Sequence, residues 1–419
     1  MPTGVYGSQG YTLSLGELCF VGVVVALLGL AAAAALRSSH ALRVANRVRR
    51  LFVQLRVARM AARIGVEPTG STGTLAPAGS AVPRRDDGSW VTVRFAEGAA
   101  LVLDPPPSDA ALGRRYRCYE EFLALVARLS PKLGGLAQLH LRDEHPAAPP
   151  SAAPQLVFNR RRGAPAQFRV VPDMHFVKHR GHSKLRQRLA ERAVAWEERR
   201  AVALWRGSST GGSLGEGDDP TRNHRVELCL LSLRFPELLD ARLGRVVDCH
   251  PSTREKLRSL GIVDRFIAPP EQIRARYLIS IDGWAAEWDG LVWKLASGSV
   301  VLVVESRWEL WYSRRIEPWK HYVPVRADLG DLVEKITWCR DHDPQCRAIA
   351  ERAAAFAREE LTFAEAVRFT QRQLAAPEPA ADASGAAPST TDPDPAAQDH
   401  AEPENEGPVD GDPNLGNPP

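Results

Sequence analysis

No Cys-x-x-Cys pair occurs in the 419 residues, and the six cysteines (Cys19, Cys118, Cys229, Cys249, Cys339 and Cys346) form no even framework. A disulfide scaffold is thereby excluded, and buried thiols in a reducing compartment are expected. His, Cys, Asp and Glu nowhere gather at metal-ligand spacing, so no metal is expected. The GxxxxGK[ST] spacing of a P-loop is missing, as are GxSxG and the kinase signatures. Lysine is scarce: seven of 54 basic residues, the rest being arginine. Basic residues are absent altogether after Ala376, where ten Asp and Glu lie among Pro and Ala. The net charge of +4 therefore divides into +14 before that point and −10 after it. A tail of this composition cannot bury enough apolar surface to fold, so 376–419 is expected to be disordered. The basic body suits anionic partners such as nucleotide phosphates, phosphorylated glycans or lipid headgroups.

What is present begins with Leu18–Leu36, nineteen residues without a charge, which is long enough to span a bilayer. Residues 1–17 hold no Lys or Arg, whereas Arg37, Arg43, Arg47, Arg49 and Arg50 follow the run. The positive-inside rule then predicts a single-pass membrane protein with its body in the cytoplasm. Residues 37–64 repeat apolar and Arg positions at helical spacing and predict a basic amphipathic helix suited to an anionic leaflet. This segment lacks the interleaved aromatics of single-strand binders, and no nucleic-acid partner is expected. A Pro/Gly/Ser/Thr-rich linker covers 65–88.

From 89 onward strands and helices alternate. "SWVTVRF" and "ALVLDPPP" predict a hairpin, "YRCYEEFLALVARLSPKL" a helix, and "AQLHLRDE" and "QLVFNRR" short strands. "FRVVPDMHFV" leads to a long charged helix over 182–200. Strands "AVALWRG", "RVELCLLS" and "RVVDCH" follow, with a helix "PELLDARL" before the last, and terminal helices are expected at 331–341 and 344–374. The pattern predicts an α/β protein with parallel sheets covered on both faces. An N-terminal α/β domain over 89–200 and a Rossmann-like domain over 201–375 are expected.

One stretch is more explicit. "RYLISI" is a strand bounded by Asp282-Gly283, Trp288, Leu291, Val292 and Leu295 recur at helical spacing, Gly298 stands at a C-cap, and "SVVLVV" reads as a buried strand. This is a βαβ unit, in which ligands sit at strand carboxyl ends against a helix N-terminus. Asp282–Asp289 is therefore a candidate nucleotide or sugar site. A second candidate is "LWRGSSTGG", whose Gly/Ser turn offers backbone N–H groups, with Arg206 beside it and Arg225 opening the next strand. Lys294 projects from the βαβ helix. "PDMHFVKHRGH" supplies Asp173 and His182 as candidate general bases.

At these residues the sequence resembles the CAP10-type glycosyltransferases, glycosyltransferase family 90, which include animal protein O-glucosyltransferases, fungal capsule xylosyltransferases and bacterial lipopolysaccharide-modifying proteins. The resemblance covers about Gln155–Leu374 and rests on "PDMHFVKHRG", "LWRGSSTGG", "RYLISIDGWAAEWDGLVWKLASGSVVL" and "PWKHYVPVRADLGDLVEKITWCRDHD". It implies a GT-B architecture of two Rossmann-like domains, metal-independent inversion at the anomeric carbon, and a UDP-glucose or UDP-xylose donor. The acceptor would be a glycan or lipopolysaccharide-type, lipid-linked glycan. By the resemblance Ser208 and Arg225 would contact the diphosphate and the loop Gly283–Asp289 would cradle the nucleotide; with the residues read above, the candidate donor site comprises Arg206, Gly207, Ser208, Arg225, Asp282, Gly283, Trp284, Ala285, Ala286, Trp288, Asp289 and Lys294. The chain departs from the family twice. Animal members have their catalytic Asp directly after the Arg that here is Arg180, where this chain has Gly181 and His182. Asp289 stands where many members carry Arg. A catalytically inactive member that binds nucleotide or glycan as a scaffold is the alternative.

Overall fold

The computed structural model describes residues 39–69, 75, 88–148, 151 and 153–376. The predicted membrane span, most of the linker and the acidic tail lie outside them. Among the described residues no helix is long and apolar enough to cross a membrane. The chain divides into two compact units, one from the described parts of Met1–Lys184, Trp308–Arg314 and Arg358–Pro377, the other from Leu185–Arg307 and Arg315–Ala357.

The first unit is built on a mixed sheet. Strands β1 (Trp90–Ala96) and β2 (Ala99–Val102) form the predicted hairpin. Its two-residue turn, Glu97-Gly98, has positive φ at both positions (48° and 72°), as hairpin twist requires. β3 (Gly135–His140) pairs antiparallel with β1. β4 (Gln155–Val157) then pairs parallel with β3, and β6 (Phe168–Val170) parallel with β4. β5 (Arg160–Arg161) pairs instead with the two-residue strand Trp308–Glu309. The helix Ala110–Arg128 starts on an Asp109 cap and buries Tyr116, Tyr119, Phe122, Leu123, Leu125 and Val126. Each such side chain contributes about 1.5–3 kcal/mol by leaving water.

The helix Ser39–Arg63 forms where the amphipathic pattern predicts it. Its apolar positions Val53, Val57 and Met60 are buried within the unit, and Arg56 pairs with Glu121 of the helix Ala110–Arg128 at 3.0 Å. Over these positions the apolar face is therefore covered by protein rather than open to a leaflet.

The second unit holds a parallel sheet of five strands in the order β8, β7, β9, β10 and Val323–Val325. β7 is Arg200–Ser208, β8 Leu239–Arg245, β9 Ala275–Ser280 and β10 Val300–Val304. Alternate residues face opposite sides. Val202, Leu204 and Leu278 pack with Leu189 and Trp293, whereas Ala203, Trp205, Tyr277 and Ile279 pack with Val226, Leu228, Leu332 and Ile336. Helices thus cover both faces, as the continuous apolar strands require. The strand–helix–strand unit read from 276–304 is present, with the helix Asp289–Leu295 between β9 and β10 and Gly298 at φ 72° after it.

Five elements differ from expectation. "RVELCLLS" is a helix, His224–Arg234, because the Asn223 side chain accepts from the N–H groups of Arg225 and Val226 and nucleates it. "PELLDARL" is a turn leading into β8, whose Leu239, Ala241 and Leu243 are buried while Asp240 and Arg242 are not, so the segment has period two. "RVVDCH" follows β8 as irregular chain. The long helix over 182–200 is shorter, Ser183–Glu191, followed by a single 3-10 turn at Trp196–Glu198. The terminal helix breaks at Leu361, and Thr362 caps its second half, Phe363–Ala375.

Candidate functional site

In the second unit the chain leaves β7 toward β8 on one side and returns to β9 on the other. The gap between the carboxyl ends of β7 and β9 is thus the topological switch point of a doubly wound sheet, where such sheets bind ligands. The two candidate loops, 208–212 after β7 and 282–288 after β9, meet there.

Arg225, in the first turn of the helix His224–Arg234, holds them together. Its Nε donates to Asp282 O at 2.9 Å and its Nη2 to Ile281 O at 3.0 Å. Nη1 donates to Thr210 Oγ1 at 2.7 Å and reaches Ser208 O and Oγ at 3.2 and 3.3 Å. The guanidinium also lies over the Trp205 ring, 5.7 Å from its centroid. Of its five N–H groups one on Nη2 is outside these bonds, and it lies beside Gly283. Burial lowers the Arg225 pKa, and the carboxylates of Glu287 and Asp282 oppose that shift.

The glycines have a packing reason. A Cβ at Gly283 would stand 2.7 Å from Thr210 Oγ1 and 3.1 Å from Arg225 Nη2. A Cβ at Gly211, whose φ is 104°, would stand 3.0 Å from the Gly283 backbone. Backbone can approach backbone here only because both side chains are absent. Gly207 is different: a Cβ there would overlap the Trp205 ring at 2.3 Å, so this glycine makes room for a neighbour on its own strand. Ser208 bonds Thr210 and Arg225, while Ser209 exchanges two bonds with Val247 and so ties the loop to the chain after β8.

On the other loop Asp282 Oδ2 accepts from Ser306 Oγ at 2.6 Å, and burial pushes its carboxyl up to about 6 against that bond and Arg225. Trp284, Ala286 and Trp288 are half-buried, Ala285 is buried with its carbonyl bonded to Gly283 N, and Asp289 is exposed in the first helical turn. An acid there complements the helix dipole and cannot donate to a phosphate.

Two of the expected ligand contacts are engaged by protein groups instead. Arg206 turns along the sheet, where it bonds Trp205 O, Asp240 O and Asp240 Oδ1 at 2.8–2.9 Å and approaches Asp264. Lys294 is 2% exposed and bonds Glu287 Oε1 at 2.5 Å. Burial lowers its pKa and Glu287 resists. Glu287, which sequence reasoning overlooked, also accepts from Ser280 Oγ at 2.6 Å, and a Cβ at Gly290 would overlap its carboxylate. Glu287 thereby fixes the loop between β9 and its helix. Its only signal was an acid seven residues before a helical Lys.

Asp173 and His182 belong to the first unit. Asp173 is 1% exposed, and its Oδ1 caps the helix Met174–Lys178 by accepting from Phe176 N at 2.9 Å. His182 is buried with φ 56°, its ring edge-on to Phe176. As placed, neither candidate base is open to solvent. Among the described residues no group of His, Cys, Asp and Glu is arranged to hold a metal ion.

Residues 172–374 match the family model Glycosyl transferase family 90, so the resemblance read from the sequence holds over this region. Uncharacterized protein 035R of Invertebrate iridescent virus 3 is 36% identical over 203 residues, 45% of this chain and 18% of that protein. Protein O-glucosyltransferase 3 of Mus musculus is 32% identical over 143 residues, 34% of this chain and 27% of that one. Protein O-glucosyltransferase 1 of Homo sapiens is 26% identical over 179 residues, 43% and 42% of the two chains. The chain thus spans less than half the length of these relatives. Among solved structures, Anabaena Alr3699/HepE in complex with UDP and glucose aligns with a TM-score of 0.31 and 16% identity over 46% of this chain and 51% of that one. TarM aligns with a TM-score of 0.33 and 10% identity over 43% and 36%.

Proposed function

We propose that the chain is an inverting glycosyltransferase of GT-B type that takes its sugar from a UDP-sugar, glucose or xylose, bound at the switch point between β7 and β9. The observation that carries this reading is the Arg225 hub. A buried guanidinium pins two glycine-containing loops at the carboxyl ends of adjacent parallel strands, and the family match spans both loops. Loop N–H groups and the remaining Arg225 donor would receive the diphosphate, whose charge grows as the bond from the anomeric carbon to its oxygen breaks. The acceptor hydroxyl forms the new bond from the opposite face and gives up its proton to a base. His182 is the better candidate, since Asp173 is held as a helix cap. The acceptor would be a lipid-linked or lipopolysaccharide-type glycan, reached by an enzyme anchored through 18–36 with its body in the cytoplasm. Metal-free transfer is part of the proposal, and chelation should leave the rate unchanged.

The test is UDP-glucose and UDP-xylose titration followed by transfer to membrane extract. Saturable UDP-sugar binding with labelled product supports the reading, and absence of UDP binding refutes it. Binding without transfer or hydrolysis would favour a scaffold, a reading motivated by Gly181-His182 in place of the animal members' Asp.

A further inference from the structure

We propose that Asp248 accepts hydrogen bonds from the ribose hydroxyls of the donor nucleotide, and so selects ribonucleotide sugars over their deoxy forms. This contact rests on the donor site proposed above and adds a specificity-determining residue to it. Asp248 follows the end of β8, in the irregular segment that leads to the helix Pro251–Ser259. That segment is tied to the donor loop after β7. Ser209 N donates to Arg245 O at 3.1 Å, and the buried Ser209 hydroxyl donates to Val247 O and accepts from Val247 N, both at 2.9 Å. Asn223, whose side chain caps the helix that carries Arg225, donates from Nδ2 to Ser209 O at 2.9 Å. Beyond Asp248, His250 N donates to Leu214 O at 2.8 Å and Thr253 Oγ1 to Gly215 O at 2.7 Å. Asp248 is thus held between two anchors on the chain that leaves β7.

Two features mark the position. Its φ is 48°, in the left-handed region, where glycine is the least costly occupant. Its side chain is exposed, and among the described residues no hydrogen bond or ion pair engages it to offset that cost. The local fold therefore gives no reason for an acid here, and a ligand does. A carboxylate only accepts, so the ligand group must be a donor. A UDP-sugar offers the ribose and sugar hydroxyls and the uracil N–H. The sheet order decides among them. Numbered along the chain, the strands of this sheet run 2-1-3-4-5, with β7 first and β8 second. In dinucleotide-binding sheets the pyrophosphate sits at the turn after the first strand, and an acid further along the chain takes the ribose 2′-hydroxyl. Asp248 has the corresponding place, after β7, its loop and the helix His224–Arg234, at the carboxyl end of the strand beside β7. Two carboxylate oxygens suit the vicinal 2′- and 3′-hydroxyls.

The probes are UDP, 2′-deoxy-UDP and 3′-deoxy-UDP, each titrated calorimetrically into the full chain, with D248N and D248G for comparison. A lost hydroxyl removes a bond to a charged acceptor, so one or both deoxy forms should bind the parent chain about tenfold to a hundredfold more weakly than UDP. The form that loses affinity identifies the hydroxyl. D248G suits the left-handed backbone and should melt no lower than the parent, which separates loss of the contact from loss of the fold. It should bind UDP at least about tenfold more weakly and no longer distinguish UDP from the deoxy forms. D248N keeps a neutral acceptor and should fall between the two. The proposal is overturned if the parent chain binds UDP and both deoxy forms alike, or if D248G keeps the parent's preference while weakening all three nucleotides equally or none of them. The two failures are distinct. A parent chain that does not bind UDP removes the donor reading and this contact with it, whereas UDP binding without a ribose preference removes the contact alone.

Discussion

Arg225 is at once the residue proposed to meet a diphosphate and the residue least able to leave. Its bonds to Ser208, Thr210, Ile281 and Asp282 make it a strut first. Removing it strands buried carbonyls, so Arg225→Ala should lower stability by about 3 kcal/mol besides weakening UDP binding. Arg225→Lys should restore little of either, since one ammonium cannot span both loops. Chemical denaturation and UDP titration of the two variants check this, and a stable Ala variant would remove the strut. Asp282 supplies the pH dependence. Its carboxyl is held at about 6, above the ordinary 3.8, so the folded protein keeps that proton longer than the unfolded chain. The stability this lends is complete below 3.8 and is lost as pH rises through about 6. The new negative charge would also face the donor phosphates. UDP-glucose, whose diphosphate does not titrate in this range, should bind more weakly above that pH, and Asp282→Asn should flatten the profile. A flat profile in the parent chain would refute it.

At the scale of elements, the loops after β7 and β9 act as one part because Gly211 and Gly283 let their backbones touch. Gly211→Ala combines a φ of 104° with a backbone neighbour at 3.0 Å that cannot turn aside. It should cost about 1–3 kcal/mol and blunt UDP binding, whereas Gly283→Ala, facing the Thr210 hydroxyl and the Arg225 side chain, should cost less. Denaturation midpoints rank the two. The Lys294–Glu287 pair gives a second test. Lys294→Met leaves a buried carboxylate without its cation and should destabilise by about 3–5 kcal/mol, while Lys294→Met with Glu287→Gln should recover much of the loss. Additivity of the two changes would show that the pair is not coupled. The βαβ element around this pair was legible because two unbroken apolar runs are bounded by Asp282-Gly283 and Gly298. The helix His224–Arg234 was not, since a short aliphatic run fits strand or helix and an Asn223 side-chain cap decided it. Arg206 and Lys294 turn to protein partners for one reason. A strand's alternation and a helix's inner face aim side chains at protein, and a residue's charge does not say which way it points.

For the whole molecule, the location of the candidate donor site followed from topology alone, because strand ends at a switch point can be read from an ordered series of strands and helices. The return of the terminal helix Phe363–Ala375 to the first unit could not be, since no local pattern encodes a contact such as Gln371 with Leu129 O, 242 residues away. Charge distribution is legible without any coordinates. The +14 before residue 376 and the −10 after it share one chain, so the tail is expected to compete with anions for the arginines. Deleting 377–419 should leave thermal stability unchanged, because a segment so poor in apolar residues contributes no core. It should strengthen binding of UDP-glucose at low ionic strength. The gain should vanish as salt shortens the Debye length from about 30 Å at 0.01 M toward about 8 Å at 0.15 M. A drop in melting temperature on deletion would instead show that the tail docks on the body. A gain in affinity that persists at high salt would point to a tail seated in the site itself, which titrating the deleted chain with a tail peptide would then detect as direct competition.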